Sequence, residues 1–152
     1  PRIRLRLVGF LNVSNSELAG LEDRIVRTPL VSYLELQRLI AMTEVNIAPL
    51  QDNVFTNCKS ELKYFDAGAV AVPTLASPTY TMSQAIDSGD TGLLVPDDHW
   101  DDALGLVVSD YDSVGVEMGL RAFDDAYARY TPSANVGAIQ RVMDVKQNAP
   151  TS

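Results

Sequence analysis

Hydrophobic and polar positions switch between two periods along this chain. Ile3-Arg4-Leu5-Arg6-Leu7-Val8-Gly9 alternates apolar with basic residues and then turns fully apolar, a strand pattern. Asn15-Ser16 marks the start of a helical turn over Glu17–Glu22, and Ile25-Val26 predicts a second short strand closed by Pro29. Ser32-Tyr33-Leu34-Glu35 has the form of a capping box, a hydroxyl for one free amide and a carboxylate reaching back to another. Leu36, Leu39, Ile40 and Thr43 follow at helical spacing, so the helix is predicted over Tyr33–Met42. Val45–Leu50 reads as a short buried strand, and Gln51–Cys58, polar and aperiodic, as a loop. Ser60 is the expected cap of a helix over Glu61–Ala69, with Leu62, Phe65 and Ala69 on one face. Val72–Ser77 is the next strand, Met82–Ser88 a short helix stopped by Gly89, and Leu93–Val95 another strand. Trp100, Ala103, Leu104, Val107 and Val108 define one amphipathic helix; Val116, Leu120, Phe123, Tyr127 and Tyr130 define a second. Both faces are expected in the core. Thr131-Pro132-Ser133 breaks the second helix, a last helix spans Ala134–Lys146, and the tail Asn148–Ser152 is expected to fray.

Strands that are short, continuous and apolar, each separated by a helix, predict an α/β fold: a Rossmann-like parallel sheet with helices on both faces. Residues 1–132 form the domain in this reading, and 133–152 a C-terminal helix and tail. Ligands of such sheets bind at the carboxyl ends of the strands, which singles out the loops after Gly9, Ile25-Val26, Leu50, Ala76 and Val95.

Composition removes several functions. Of the 152 residues, 46% are hydrophobic, far above the disordered regime, yet no apolar run reaches the length of a membrane span. The net charge is −8 and the basic residues form no stripe, which argues against nucleic acid as a partner. Single copies of cysteine and histidine, Cys58 and His99, exclude a disulfide framework and a Cys/His zinc site. The lone cysteine and the lack of a secretory signal give a cytoplasmic expectation. The chain opens at Pro1 inside a strand, the expectation for a piece of a longer protein.

The loop Gln51–Ser60 runs directly into a helix, where free amides and the positive end of the dipole favour an anion. Lys59 adds a full charge there, Ser60 a hydroxyl, and Lys63 lies one turn on. The plainer reading is a capped helix with two solvated lysines. Asp66 lies further along and opens Asp66-Ala67-Gly68; alone it reads as an exposed helix acid. Cys58 has no base near it in sequence and is expected to be a small buried or half-buried residue. His99, in Asp97-Asp98-His99-Trp100, belongs to a helix start, and the acids around it lack the spacing of a calcium loop.

These residues carry a resemblance. Val45–Leu50 resembles the strand ending in proline of retaining GT-B glycosyltransferases of the family-4-like, group 1 type. Lys59–Ser77 resembles their donor-site helix and next strand, and Ala85–Pro96 their glycine-containing turn and strand. The likeness runs in order from about Arg2 to Pro132. It implies the C-terminal, donor-binding half of a GT-B fold, lacking its first strand and the acceptor domain. By that resemblance the amides of Ser60, Glu61 and Leu62 meet the donor diphosphate, Asp66 holds the ribose, Leu30 and Val31 pack near the base, and Lys59 lies by the phosphates or the sugar. The implied function is transfer of a hexose or deoxyhexose from a nucleoside-diphosphate sugar to a glycan or other acceptor, with retention. No metal or other cofactor is implied, because helix dipoles and cations neutralise the leaving diphosphate. Acceptor binding, and any peripheral membrane contact, fall to the missing domain; the residues given do not name a catalytic group. The family often has a first glutamate that contacts the sugar; here Cys58 stands in its place, and Asp66 replaces the second glutamate. That loss supports an alternative, a degenerate module kept for docking or assembly. A GT-B-like epimerase is a further alternative, poorly supplied by a single histidine.

Overall fold

The computed structural model describes residues 3–10 and 20–147, the last four of these as backbone only. Its strands form two parallel sheets. In one, β1 (Leu5–Val8) pairs with β2 (Ile25–Thr28), Leu5 opposite Ile25. In the other, β3 (Asn46–Ala48), β4 (Thr74–Ala76) and β5 (Gly92–Leu94) lie in that order, with Ala48, Ala76 and Leu94 in register. The parallel α/β reading therefore holds, but the expected single sheet is in two pieces: among the described residues, no strand joins β1 to β3.

The helices are α1 (Tyr33–Ile40), α2 (Val54–Asn57), α3 (Leu62–Gly68), α4 (Tyr80–Ala85), α5 (Trp100–Ser109), α6 (Val116–Tyr130) and α7 (Pro132–Gln147). A π-helical turn, Tyr111–Gly115, leads into α6. Strand alternation sorts the core into two layers. Ala48, Ala76 and Leu94 point to one face, against Tyr64, Met82, Ile86 and Ala122 of the α3, α4 and α6 side. Ile47, Leu75 and Leu93 point to the other, against Trp100, Leu104 and Val107 of α5. Helices thus cover both faces of the three-stranded sheet.

Several local expectations need correction. Gln51–Cys58 is not all loop: Asn53 Oδ1 accepts the Thr56 amide at 3.0 Å, Thr56 Oγ1 accepts the Asn53 amide at 3.2 Å, and this reciprocal cap closes α2. Ser60 does not cap α3; Glu61 holds that position and no side chain caps it. The buried face of α3 is Tyr64, Asp66, Ala67 and Gly68, while Leu62 and Ala69 face outward. On α6 the large apolar residues Val116, Leu120, Phe123 and Tyr127 are exposed, and Met118, Gly119, Ala122 and Ala126 are buried. α4 ends at Ala85, short of the expected Ser88, and Gly89, at φ 94, instead turns the chain into β5. Cys58, at the C-terminal cap of α2, is exposed rather than buried or half-buried. The turn expected over Glu17–Glu22 and the tail Asn148–Ser152 lie largely outside the described residues.

Candidate functional site

Two connections leave the carboxyl ends of parallel strands and meet. The first, Pro29–Ser32, follows β2. Ser32 Oγ accepts the Glu35 amide at 3.3 Å and starts α1 at Tyr33. Only this half of the expected capping box forms, since the Glu35 carboxylate turns to Arg38 at 3.4 Å. Val31 is half-buried and Leu30 is exposed. The second connection follows β3 through α2 into α3. Asn46 fixes it from below: its amide nitrogen donates to the Lys63 carbonyl at 3.1 Å and to Thr74 Oγ1 at 3.0 Å, tying α3 to β3 and β4.

The meeting point is a single side-chain bond. The Tyr33 hydroxyl, at the first residue of α1, donates to Asp66 Oδ1 on α3 at 2.9 Å. Asp66 is 7% exposed, so it is not the solvated helix acid that its neighbours in sequence suggest. A carboxylate accepts up to about four hydrogen bonds. Among the described residues Asp66 takes only the one from Tyr33. Burial pushes its carboxyl above the usual carboxylate range, opposed by the Tyr33 hydrogen bond and the charge of Lys63. The Tyr33 phenol is raised in turn, chiefly because it donates to that carboxylate. The result is a largely buried acceptor with hydrogen-bonding capacity to spare.

The loop before α3 is held firmly. Asn57 Nδ2 donates to Asp52 at 2.6 Å, and Asn57 Oδ1 accepts the Tyr80 amide at 2.7 Å, joining α2 to the start of α4. Leu50 donates its amide to Ser77 Oγ at 3.0 Å, which links the loops after β3 and β4. Lys59 Nζ lies 4.4 Å from the centre of the exposed Phe55 ring, a cation–π contact. Ser60 is exposed, and among the described residues the amides of Glu61, Leu62 and Lys63 take no hydrogen bond. α3 itself is only two turns long, so its dipole is small.

Of the residues singled out from sequence, the structure brings Asp66 and the segment beside Val31 together. Among the described residues Lys59 makes no hydrogen bond or ion pair to either, and its ammonium lies over the Phe55 ring instead. His99 is an exposed residue at the start of α5, near Asp98 and Asp102. Sequence reasoning missed Tyr33 and Asn46. Tyr33 was hidden as the first residue of an amphipathic helix, where an aromatic residue reads as packing. Asn46 carried a signal, a polar residue inside an apolar strand, which asks for a buried partner.

A parallel sheet with helices on both faces, and a buried carboxylate beside the strand ends, is the layout of a Rossmann-like α/β domain. The glycosyl transferases group 1 family matches residues 1–110, and the chain belongs to that family. Solved structures agree on the fold. Sucrose-phosphate synthase from Thermosynechococcus elongatus superposes with a TM-score of 0.72 at 18% identity, over 94% of this chain and 39% of that one. Anabaena HepE, solved with UDP and glucose, gives 0.72 at 14% identity, over 95% of this chain and 41% of that one. The C-terminal domain of LpcC, a glycosyl transferase group 1 family protein of Francisella tularensis, gives 0.64 at 17% identity, over 78% of this chain and 60% of that one. At these identities the likeness is one of fold, and the chain spans less than two thirds of each of these proteins. No curated protein sequence matches the chain. Family and fold together make it a Rossmann-like C-terminal domain of the GT-B glycosyltransferase type. Among the described residues no helix is long and apolar enough to cross a membrane.

Proposed function

We propose that this domain binds the donor of a retaining glycosyltransferase, a nucleoside-diphosphate hexose or deoxyhexose whose sugar passes to a glycan or other acceptor. One observation supports it most. The Tyr33–Asp66 bond joins the segment after β2 to α3, and leaves a buried carboxylate with unused accepting capacity there. Asp66 receives the ribose hydroxyls in this reading. Val31 and the neighbouring Leu30 border the base. The diphosphate meets Lys59 and the open amides at Ser60, Glu61 and Leu62; the cation and amides stabilise the leaving group without a metal. The acceptor sits on a second domain, which also carries any contact with a membrane surface. The reaction belongs to polysaccharide synthesis in the cytoplasm.

The exposed Cys58, in the place of the family's sugar-contacting acid, favours a second reading, a non-catalytic docking module. Calorimetric titration of the full-length protein separates the two. A nucleoside diphosphate should bind the parent. Lys59→Ala should weaken it by about ten- to a hundredfold, more at low salt, and leave the nucleoside alone. Asp66→Asn should weaken diphosphate and nucleoside alike, because the ribose is common to both. A parent that binds neither is the docking module.

A further inference from the structure

We infer that Tyr33 is a positioning residue for ribose recognition: its hydroxyl holds Asp66 Oδ1 so that the other carboxylate oxygen is presented to a ribose hydroxyl. The inference rests on the donor-binding reading of Asp66. It goes beyond it in assigning the specificity for a ribose to a pair of residues from different helices.

The geometry supports an oriented acceptor. Asp66 stands on a two-turn helix, and a free carboxylate would rotate about its last side-chain bond with little restraint. The Tyr33 bond at 2.9 Å removes that freedom. Tyr33 is itself fixed, since Ser32 caps α1 immediately before it and the helix packs on α3. The phenol uses one of the acceptor positions on Oδ1, and among the described residues Oδ2 takes no donor. Unlike a lysine, the phenol adds no charge, so the carboxylate stays a net negative acceptor for a neutral hydroxyl donor. The ring is 63% exposed, so it forms the outer wall beside the carboxylate rather than core packing.

The neighbourhood contains few other influences on Asp66. Lys63 lies on the same helix and lowers its carboxyl, as Tyr33 does. The acid of α6 with a bond to α3, Asp125, is taken by the Tyr64 hydroxyl at 2.8 Å and by Arg129 at 3.0 Å and does not bear on Asp66. Removing the Tyr33 hydroxyl should therefore free the carboxylate and let its carboxyl rise further.

The test uses the full-length protein and calorimetric titration with UDP and GDP, followed by the 2′,3′-dideoxy form of whichever binds. Tyr33→Phe is expected to weaken the ribonucleotide by about two- to tenfold, the range of one neutral hydrogen bond, and to leave the dideoxy form unchanged. The pH below which the ribonucleotide is released should move up in Tyr33→Phe, which a loss of packing alone would not produce. In an Asp66→Asn background the same substitution should have no further effect on the ribonucleotide. Equal losses for ribo and dideoxy ligands would overturn the assignment. Tighter ribonucleotide binding by Tyr33→Phe would also overturn it, making the phenol a competitor for the ribose. If neither nucleotide binds the parent, the donor-site reading itself fails, and the inference fails with it.

Discussion

Asp66 is costly where it stands. Its carboxyl is raised mainly by burial, with the Tyr33 hydrogen bond and Lys63 offsetting part of the effect. An acid whose folded value lies above its unfolded value favours the fold only where it is protonated. That contribution is complete below the ordinary aspartate value of about 4 and is lost as pH rises through the folded value. At neutral pH the ionised side chain therefore lowers stability. Asp66→Asn keeps an acceptor for Tyr33 and removes the buried charge. It should be more stable than the parent to chemical denaturation at pH 7, with the gain shrinking as pH falls toward 4. A variant less stable at pH 7 would mean that the charge-assisted bond outweighs burial. Gain of stability with loss of ligand is the pattern of a residue kept for function.

At the scale of elements, α3 and α6 meet through small residues. A Cβ on Gly68 would come within 2.9 Å of the Ala122 carbonyl oxygen, and one on Gly119 would collide with the Ala71 carbonyl. Ala71 has φ 58, the left-handed region that alanine adopts at some cost. Its carbonyl needs the space that Gly119 leaves. Close approach of two backbones, rather than bulk, decides which face of α6 is buried. Gly119→Ala should cost about 2–4 kcal/mol. Gly105→Ala on α5 meets open space and should gain about 0.5–1 kcal/mol. Leu75→Ala, at a fully buried position, should cost about 2–5 kcal/mol, and Phe123→Ala, 40% exposed, clearly less. Urea denaturation of the four variants checks the order. A Phe123 loss equal to that of Leu75 would put the buried face of α6 where apolar periodicity predicted it.

For the whole molecule, the two sheets matter most. Among the described residues β1 pairs only with β2, and β3 only with β4, so each sheet presents an unpaired strand edge. Such edges template pairing with other chains unless covered. The 152-residue polypeptide is expected to self-associate with rising concentration in sedimentation velocity, in spite of its net charge of −8. A single monomeric species across the whole range would show that both edges are already covered.

Apart from α2, the order of strands and helices, their parallel arrangement and both strand-end segments of the site were legible in the sequence, because burial periodicity and helix caps act over a few residues. Asp66 was found by the resemblance of its surrounding motif, and its pattern alone suggested exposure. Its burial, the bond from Tyr33 and the exposure of Cys58 depend on how α1, α2 and α3 stack, which local periodicity does not contain. The burial of glycine and alanine on α6 likewise arises from how closely two backbones approach. A hydrophobic pattern marks which residues avoid water; the contacts of folded elements decide which of them succeed, and where a buried carboxylate finds its partner.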